Sequence, residues 1–252
     1  MQVTSTDVKN NFGKYLKACK TENVIITKNG RRQALLLFYP GGAEMGRVGE
    51  PAITYGTTPQ KEERVTYRQF LEMTEKSDHR YELIDGKVYL LASPSFIHQK
   101  VLGNLYSAFR EYFKEHEDCG PFLSPLDIEL MHRPLALLRE LTEDDINVVQ
   151  PDLVVLCDYE KDIDASDKYK GTPTLAIEIL SPSSRSKDQI KKLDLYMESG
   201  IDECWIVDPS NHAVIVYVFH NHEIEENAMY MRGQTARSVR FPGLQVAVDA
   251  LF

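Results

Sequence analysis

The sequence is poor in cysteine and tryptophan: its 252 residues hold four Cys and one Trp. Cys19, Cys119, Cys157 and Cys204 lie far apart and form no C-x-x-C pair. A disulfide scaffold and a cysteine-based zinc site are therefore not expected, and the thiols are expected to be reduced. Long apolar runs are missing too. None approaches the roughly 18–20 residues that cross a bilayer, and the opening MQVTSTDVKNN has no apolar stretch of the secretory-signal kind. These absences predict a cytoplasmic protein with no membrane contact. No internal repeat is visible. What remains is ordinary globular content, 42% hydrophobic, enough to bury a core in one or two domains.

The formal charge of −9 does not suggest a nucleic-acid binder, but it is unevenly spread. Residues 1–40 carry Lys9, Lys14, Lys17, Lys20, Lys28, Arg31 and Arg32 against Asp7 and Glu22, a surplus of five positive charges that leaves −14 for the rest. Such asymmetry predicts a basic module joined to an acidic one. The acidic part is compatible with a nuclease, because clustered carboxylates hold divalent metals. Residues 41–63 are rich in Gly, Pro and Thr without apolar periodicity and read as a flexible linker.

Within residues 1–40, Val3–Ser5 reads as a short strand. Ser5 or Thr6 is the candidate cap of a helix to about Lys20, with Val8, Phe12, Tyr15, Leu16 and Cys19 on one face. Asn29-Gly30 between two apolar runs predicts a hairpin. So short a segment buries too little surface to stand alone, which points to dimerisation. Residues 64–252 alternate short strands and helices, predicting a mixed α+β fold, a curved sheet flanked by helices. Single strands are expected over 122–130, 148–156 and 174–180. Helices are expected over 66–74, from 95 to about 117, and over 186–199, the last closed by Gly200.

Three features carry the chemistry. Asp152 follows a proline in V-Q-P-D, and Glu178 stands in the otherwise apolar LAIEIL. A charge in such a strand is costly unless it is paired or metal-bound. The third is the helix SKDQIKKLDLYMESG. At about 100° per residue, Ile190, Leu193 and Met197 share a face, with Gln189, Lys192 and Tyr196 along its edge and Lys191 turned to water. Lys192 is thus the lysine that can reach a strand-borne site with its stem along the core. Two acids and a lysine suit metal-dependent phosphodiester hydrolysis: carboxylates hold Mg²⁺ or Mn²⁺, and the lysine orients water or neutralises developing charge. The same trio also suits a structural salt-bridge network. Glu203 and Asp127 rank below it, and Asp85 is assigned to an Asp-Gly turn.

Two family resemblances sharpen this reading. Residues VTSTDVKNNFGKYLKACKTENVIITKNGRRQALLLFYP resemble the Phd/YefM antitoxins. That resemblance implies a homodimer binding DNA through Lys9, Lys14, Arg31 and Arg32, and a possible toxin-like protein partner. From about residue 64 the chain resembles the Uma-two family, restriction-endonuclease-like proteins within the PD-(D/E)XK nuclease superfamily. The motifs run in order: YELIDG at 81–86, S-P-S-x-x-H at 93–98, V-x-P-D at 149–152, E-I-L-S-P-S at 178–183, K-L-x-x-Y at 192–196, W-I-V-D-P at 205–209 and F-P-G-L at 241–244. This resemblance implies a restriction-endonuclease-like core with Asp152 and Glu178 as metal ligands. Leu180 stands where the superfamily signature has lysine, so the lysine role passes to Lys192. The resemblance adds Glu82 to the catalytic residues through its motif, and His98, Gln189 and Tyr196 are candidates for a supporting role. The expected function is a Mg²⁺-dependent DNA endonuclease with an appended DNA-binding module. A non-catalytic regulator, of the toxin–antitoxin type and using the nuclease fold as an interaction body, is the alternative.

Overall fold

The computed structural model describes residues 1–19, 24–28, 31–36, 64–116, 118–181 and 188–252, without the side chains of 31–33, 35 and 188–190. The expected linker, the Asn29-Gly30 turn and the side chains of Gln189, Arg31 and Arg32 fall outside the described residues. The chain divides into two compact units, Met1–Glu63 and Arg64–Phe252.

In the first unit, strand β1 (Gln2–Thr4) leads into helix α1 (Ser5–Ala18), followed by β2 (Val24–Lys28) and β3 (Arg31–Leu36). The helix cap is Thr4 rather than Ser5 or Thr6: its Oγ1 accepts from the Asp7 amide at 3.1 Å, satisfying one free N–H of the first turn. β1 pairs parallel to β2, and β2 antiparallel to β3. Val3, Val8, Tyr15, Cys19 and Val24 form the small core. Phe12 and Leu16, one turn apart on α1, remain 51% and 43% exposed, as does Lys9 beside them on the helix.

The second unit begins with helix α2 (Tyr67–Thr74), capped by Thr66 and Gln69 in a reciprocal capping box. The hairpin β4 (Tyr81–Ile84) and β5 (Lys87–Leu90) turns at Asp85-Gly86, both with positive φ. Helix α3 (Phe96–Phe113) is capped by Ser95. Then come β6 (Cys119–Leu123), β7 (Ile128–Leu130), β8 (Asn147–Val149), β9 (Leu153–Cys157) and β10 (Leu175–Ile179). Helix α4 (Asp188–Ser199), β11 (Glu203–Asp208), β12 (Ala213–His220) and β13 (Glu223–Tyr230) follow, and the pair β14 (Thr235–Arg237) and β15 (Gln245–Ala247) closes the unit. The mixed α+β class read from the sequence is what the structure shows.

Two sheets organise this unit. One has six strands in the order β13-β12-β11-β10-β9-β6, and the other four in the order β5-β4-β8-β7. The strands expected over 122–130 and 148–156 each split in two, one half in either sheet. Pro151 lacks an N–H for the ladder and ends β8, and the chain resumes as β9 in the larger sheet. Asp152 therefore stands where the backbone passes from one sheet to the other. β13, missing from the sequence reading, is an edge strand with mostly exposed polar residues, so it lacks the apolar alternation that marks a strand.

Leu175, Ile177 and Ile179 of β10 face the main core with Val101, Leu105 and Phe109 of α3. Alternation along the strand sends Ala176 and Glu178 to the opposite face, toward α4. The cysteine expectation needs correction. Cys119 and Cys157 face each other across β6 and β9 and form a disulfide, while Cys19 and Cys204 are free and buried. A separation of 38 residues conceals a pairing that only strand register creates.

Candidate active site

Four elements converge at the junction of the two sheets. Glu82 comes from β4, Asp152 from the turn after β8, Glu178 from β10 and Lys192 from α4. Lys192 Nζ lies 2.7 Å from Glu82 Oε1 and 2.9 Å from Glu178 Oε1, and its side chain is only 11% exposed. Tyr196, one turn further along α4, donates its hydroxyl hydrogen bond to the same Glu178 oxygen. The Gln150 amide donates to Glu82 Oε1 at 2.8 Å. Asp152 is held from both sides: the Ile179 amide donates to Oδ2 at 2.7 Å, and His98 Nε2 lies 3.2 Å from Oδ1. The carboxylate of the β8–β9 turn is thus fixed by the backbone of the residue next to Glu178. His98 takes its place because Ser95 caps the first turn of α3 by accepting from the His98 amide.

The electrostatics follow from two carboxylates on one buried lysine and a third carboxylate beside them on His98. Burial pushes the Glu178 carboxyl above the usual range. Lys192 pulls it back down, and Asp152 and Glu82 add to the upward push. Burial works against the Lys192 ammonium, yet Glu178 and Glu82 more than compensate and hold it protonated. Burial, then Glu178 and Glu82, drives the Tyr196 phenol well above its ordinary value, so it stays a donor. Burial disfavours the His98 imidazolium, but the hydrogen bond and charge of Asp152 raise its pKa overall. The three carboxylates face two basic groups, Lys192 and His98, and their oxygen atoms can receive a further cation.

The expected trio is therefore brought together, with Glu82 on the same lysine and His98 and Tyr196 in direct contact with the acids. Met197 is buried as the wheel expects and the side chain of Ile190 falls outside the described residues, but the buried face of α4 extends beyond the one read from the wheel. Lys192, Leu195, Tyr196 and Ser199 are buried, whereas Leu193 is only partly so, because the pairing of Lys192 with two buried acids turns that side inward. Lys191 is not purely solvated: it is half-buried and donates to the Tyr89 hydroxyl at 3.0 Å. Glu203 has a structural duty, accepting from Trp205 Nε1 at 2.6 Å and from the Val239 and Arg240 amides at 2.8 and 2.9 Å. That ties W-I-V-D-P to the chain just before F-P-G-L. A second cluster escaped the sequence reading: His132 bridges Glu198 of α4 at 2.6 Å and Asp85 of the β4–β5 turn at 3.1 Å.

Among the described residues no group of three or more His, Cys, Asp or Glu forms a ready-made metal cage. The donor set nevertheless fits Mg²⁺, which commonly uses one or two carboxylates and fills its shell with water and substrate oxygens. Asp152 and Glu178 offer only oxygen atoms, and Glu178 Oε2 has no partner among the described residues.

The comparisons bear on the same unit. The family model described as "Putative restriction endonuclease", Uma2, matches residues 67–249. The chain belongs to the Uma2 family. The match spans every site residue of the second unit and leaves residues 1–66 outside it. A similar protein is the uncharacterized protein slr1290 of Synechocystis sp., 22% identical over 189 residues, which span 75% of this chain and 92% of that protein. The same fold occurs in the crystal structure of a "putative nuclease belonging to DUF820" from Anabaena variabilis. Its TM-score is 0.57 at 20% identity, covering 75% of this chain and 97% of the other. No described helix is long and apolar enough to cross a membrane.

Proposed function

We propose that the second unit is a Mg²⁺- or Mn²⁺-dependent endonuclease that hydrolyses phosphodiester bonds in DNA, and that residues 1–40 form an antitoxin-like module placing it there. The observation that carries the reading is the buried Lys192 held between Glu82 and Glu178, with Asp152 anchored beside them. A structural ion pair needs one acid for one base, whereas here two buried acids share Lys192 and a third, paired with His98, is held by the backbone next to Glu178.

In this reading Asp152 and Glu178 would hold the cation, which when bound would supply Lewis-acid activation of the phosphate and of the attacking water. The protein's own residues do the rest. The Ile179 amide and His98 fix the Asp152 carboxylate. Tyr196 and Lys192 fix one oxygen of Glu178 and leave the other free to ligate. The Lys192 ammonium, kept charged by its two acids, neutralises negative charge developing on the phosphate. Glu82 positions Lys192 and is itself positioned by the Gln150 amide.

For residues 1–40, the exposed Phe12 and Leu16 supply an apolar stripe for a second copy of the chain. Lys9 and Lys14 on α1, with Arg31 and Arg32 on β3, supply phosphate contacts. Cytoplasmic residence and a toxin-like partner belong to the same proposal.

The test is hydrolysis of end-labelled double- and single-stranded DNA in Mg²⁺, in Mn²⁺ and in chelator, with Glu178→Ala alongside. Metal-dependent products that disappear in a folded variant support the reading. Equal products from both proteins overturn the site, and none from folded wild type on either substrate overturns the nuclease.

A further inference from the structure

The catalytic cluster occupies one side of the four-stranded sheet. On the other side, beneath α2, lies a cavity of about 220 Å³. That is below the roughly 300–1,000 Å³ of pockets for drug-sized ligands, and it suits a single heterocycle. Its wall includes the rings of Phe70, Tyr81 and Tyr169, together with Arg80, Gln150 and Asp127.

The register Leu83↔Val148 sets Tyr81 opposite Gln150 at the strand ends, and this is the end of the sheet from which the chain leads to Asp152. Tyr81 precedes Glu82, and Gln150 stands two residues before Asp152. A nucleic-acid strand crossing this end can place a base on one side and its phosphate on the other.

Two polar groups at this end are unspent. Arg80 is half-buried and has no carboxylate partner among the described residues, although the site is acidic. It stands close enough to His98 to oppose its protonation. Gln150 donates through Nε2 to Asp127 Oδ1 at 2.8 Å, which fixes the orientation of its amide. Its Oε1 is then shielded from solvent without a donor among the described residues. An unmet buried acceptor is costly, and a small movement of the side chain would let a ligand N–H reach it.

We propose that this cavity holds one unstacked nucleobase of the substrate strand, with Arg80 on the neighbouring phosphate and Gln150 selecting bases that carry an exocyclic amino group. The proposal rests on the nuclease reading and adds a specificity pocket to it. Aromatic walls take any base face, so selection falls to the polar edge. Adenine, cytosine and guanine each offer an exocyclic amino group to Gln150 Oε1. Thymine offers one N3–H between two carbonyls, and these would face the Asp127 and Glu129 carboxylates that also line the cavity.

The experiment measures fluorescence anisotropy of labelled homopolymeric oligo-dA, oligo-dC and oligo-dT with phosphorothioate linkages, in Mg²⁺, with the full chain. Wild type is expected to bind oligo-dA and oligo-dC about tenfold more tightly than oligo-dT, the scale of one good base contact. Gln150→Leu and the cavity-filling Leu71→Trp, each checked for folding by its melting curve, should bring the three affinities together. Arg80→Ala should weaken all three alike.

Equal affinities in wild type, or an undiminished preference in whichever of the two cavity variants fold, overturn the pocket. Wild type that cuts DNA yet shows no preference sinks the pocket alone. Wild type that neither cuts nor binds any strand sinks the nuclease reading and the pocket with it.

Discussion

Lys192 and Lys191 are neighbours in sequence with different environments, and the difference is measurable. Removing the Lys192 ammonium leaves Glu82 and Glu178 buried without their cation. Lys192→Met should therefore cost about 3–5 kcal/mol of stability, the usual scale for breaking a buried pair, and slow hydrolysis at least ~100-fold. Lys191→Met loses one hydrogen bond to Tyr89 and should change stability by about 1 kcal/mol or less. Denaturant melts and initial rates of the two variants check this, and equal effects would remove Lys192 from its assigned role. Glu203 gives the opposite contrast. Its carboxylate is fully buried and takes three donors, so Glu203→Leu should destabilise by roughly 3–5 kcal/mol yet leave the rate per folded molecule unchanged. Asp152, Glu178 and Lys192 were legible because each breaks its local pattern: an acid after a proline, an acid in an apolar strand, a lysine at the edge of an apolar helix face. Arg80 and Gln150 break no pattern, and only the strand register shows what they line.

At the scale of elements, Pro151 matters more than its single missing N–H suggests. It converts one apolar run into two strands of different sheets, and the acid that follows is placed at their junction. The sequence exposed the apolar run but not the division, since apolar strands of both sheets look alike. The pairing of Cys119 with Cys157 and the bridging by His132 were invisible for the same reason: they join elements by register and packing. His132 ties α4 to the β4–β5 turn. Burial opposes its protonation, but the hydrogen bonds and charges of Asp85 and Glu198 prevail and push its pKa up to about 9. The folded value exceeds the ordinary 6.5, so this stabilisation is fully present below that pH and is lost as pH rises through about 9. The melting temperature of wild type should fall across this window, and His132→Gln should flatten the fall. A wild-type curve no steeper than the variant's would show that the bridge contributes nothing.

The whole molecule joins a basic unit to an acidic one, and the two should read DNA differently. If residues 1–40 supply phosphate contacts, deleting them should weaken duplex binding and lower the salt slope by about 0.9 per lost contact. Binding isotherms across a salt series check this, and an unchanged slope would leave the basic module without that role. The general α+β class and the order of the site motifs were readable along the chain, because each motif is local. The two-sheet architecture was not, because it depends on which strands exchange partners. The most direct measurement of the central claim is nicking of supercoiled plasmid in Mg²⁺ by wild type beside folded Asp152→Ala. The account predicts open-circular product from wild type, none in chelator, and little or none from the variant. Nicking by Asp152→Ala at the wild-type rate would contradict it.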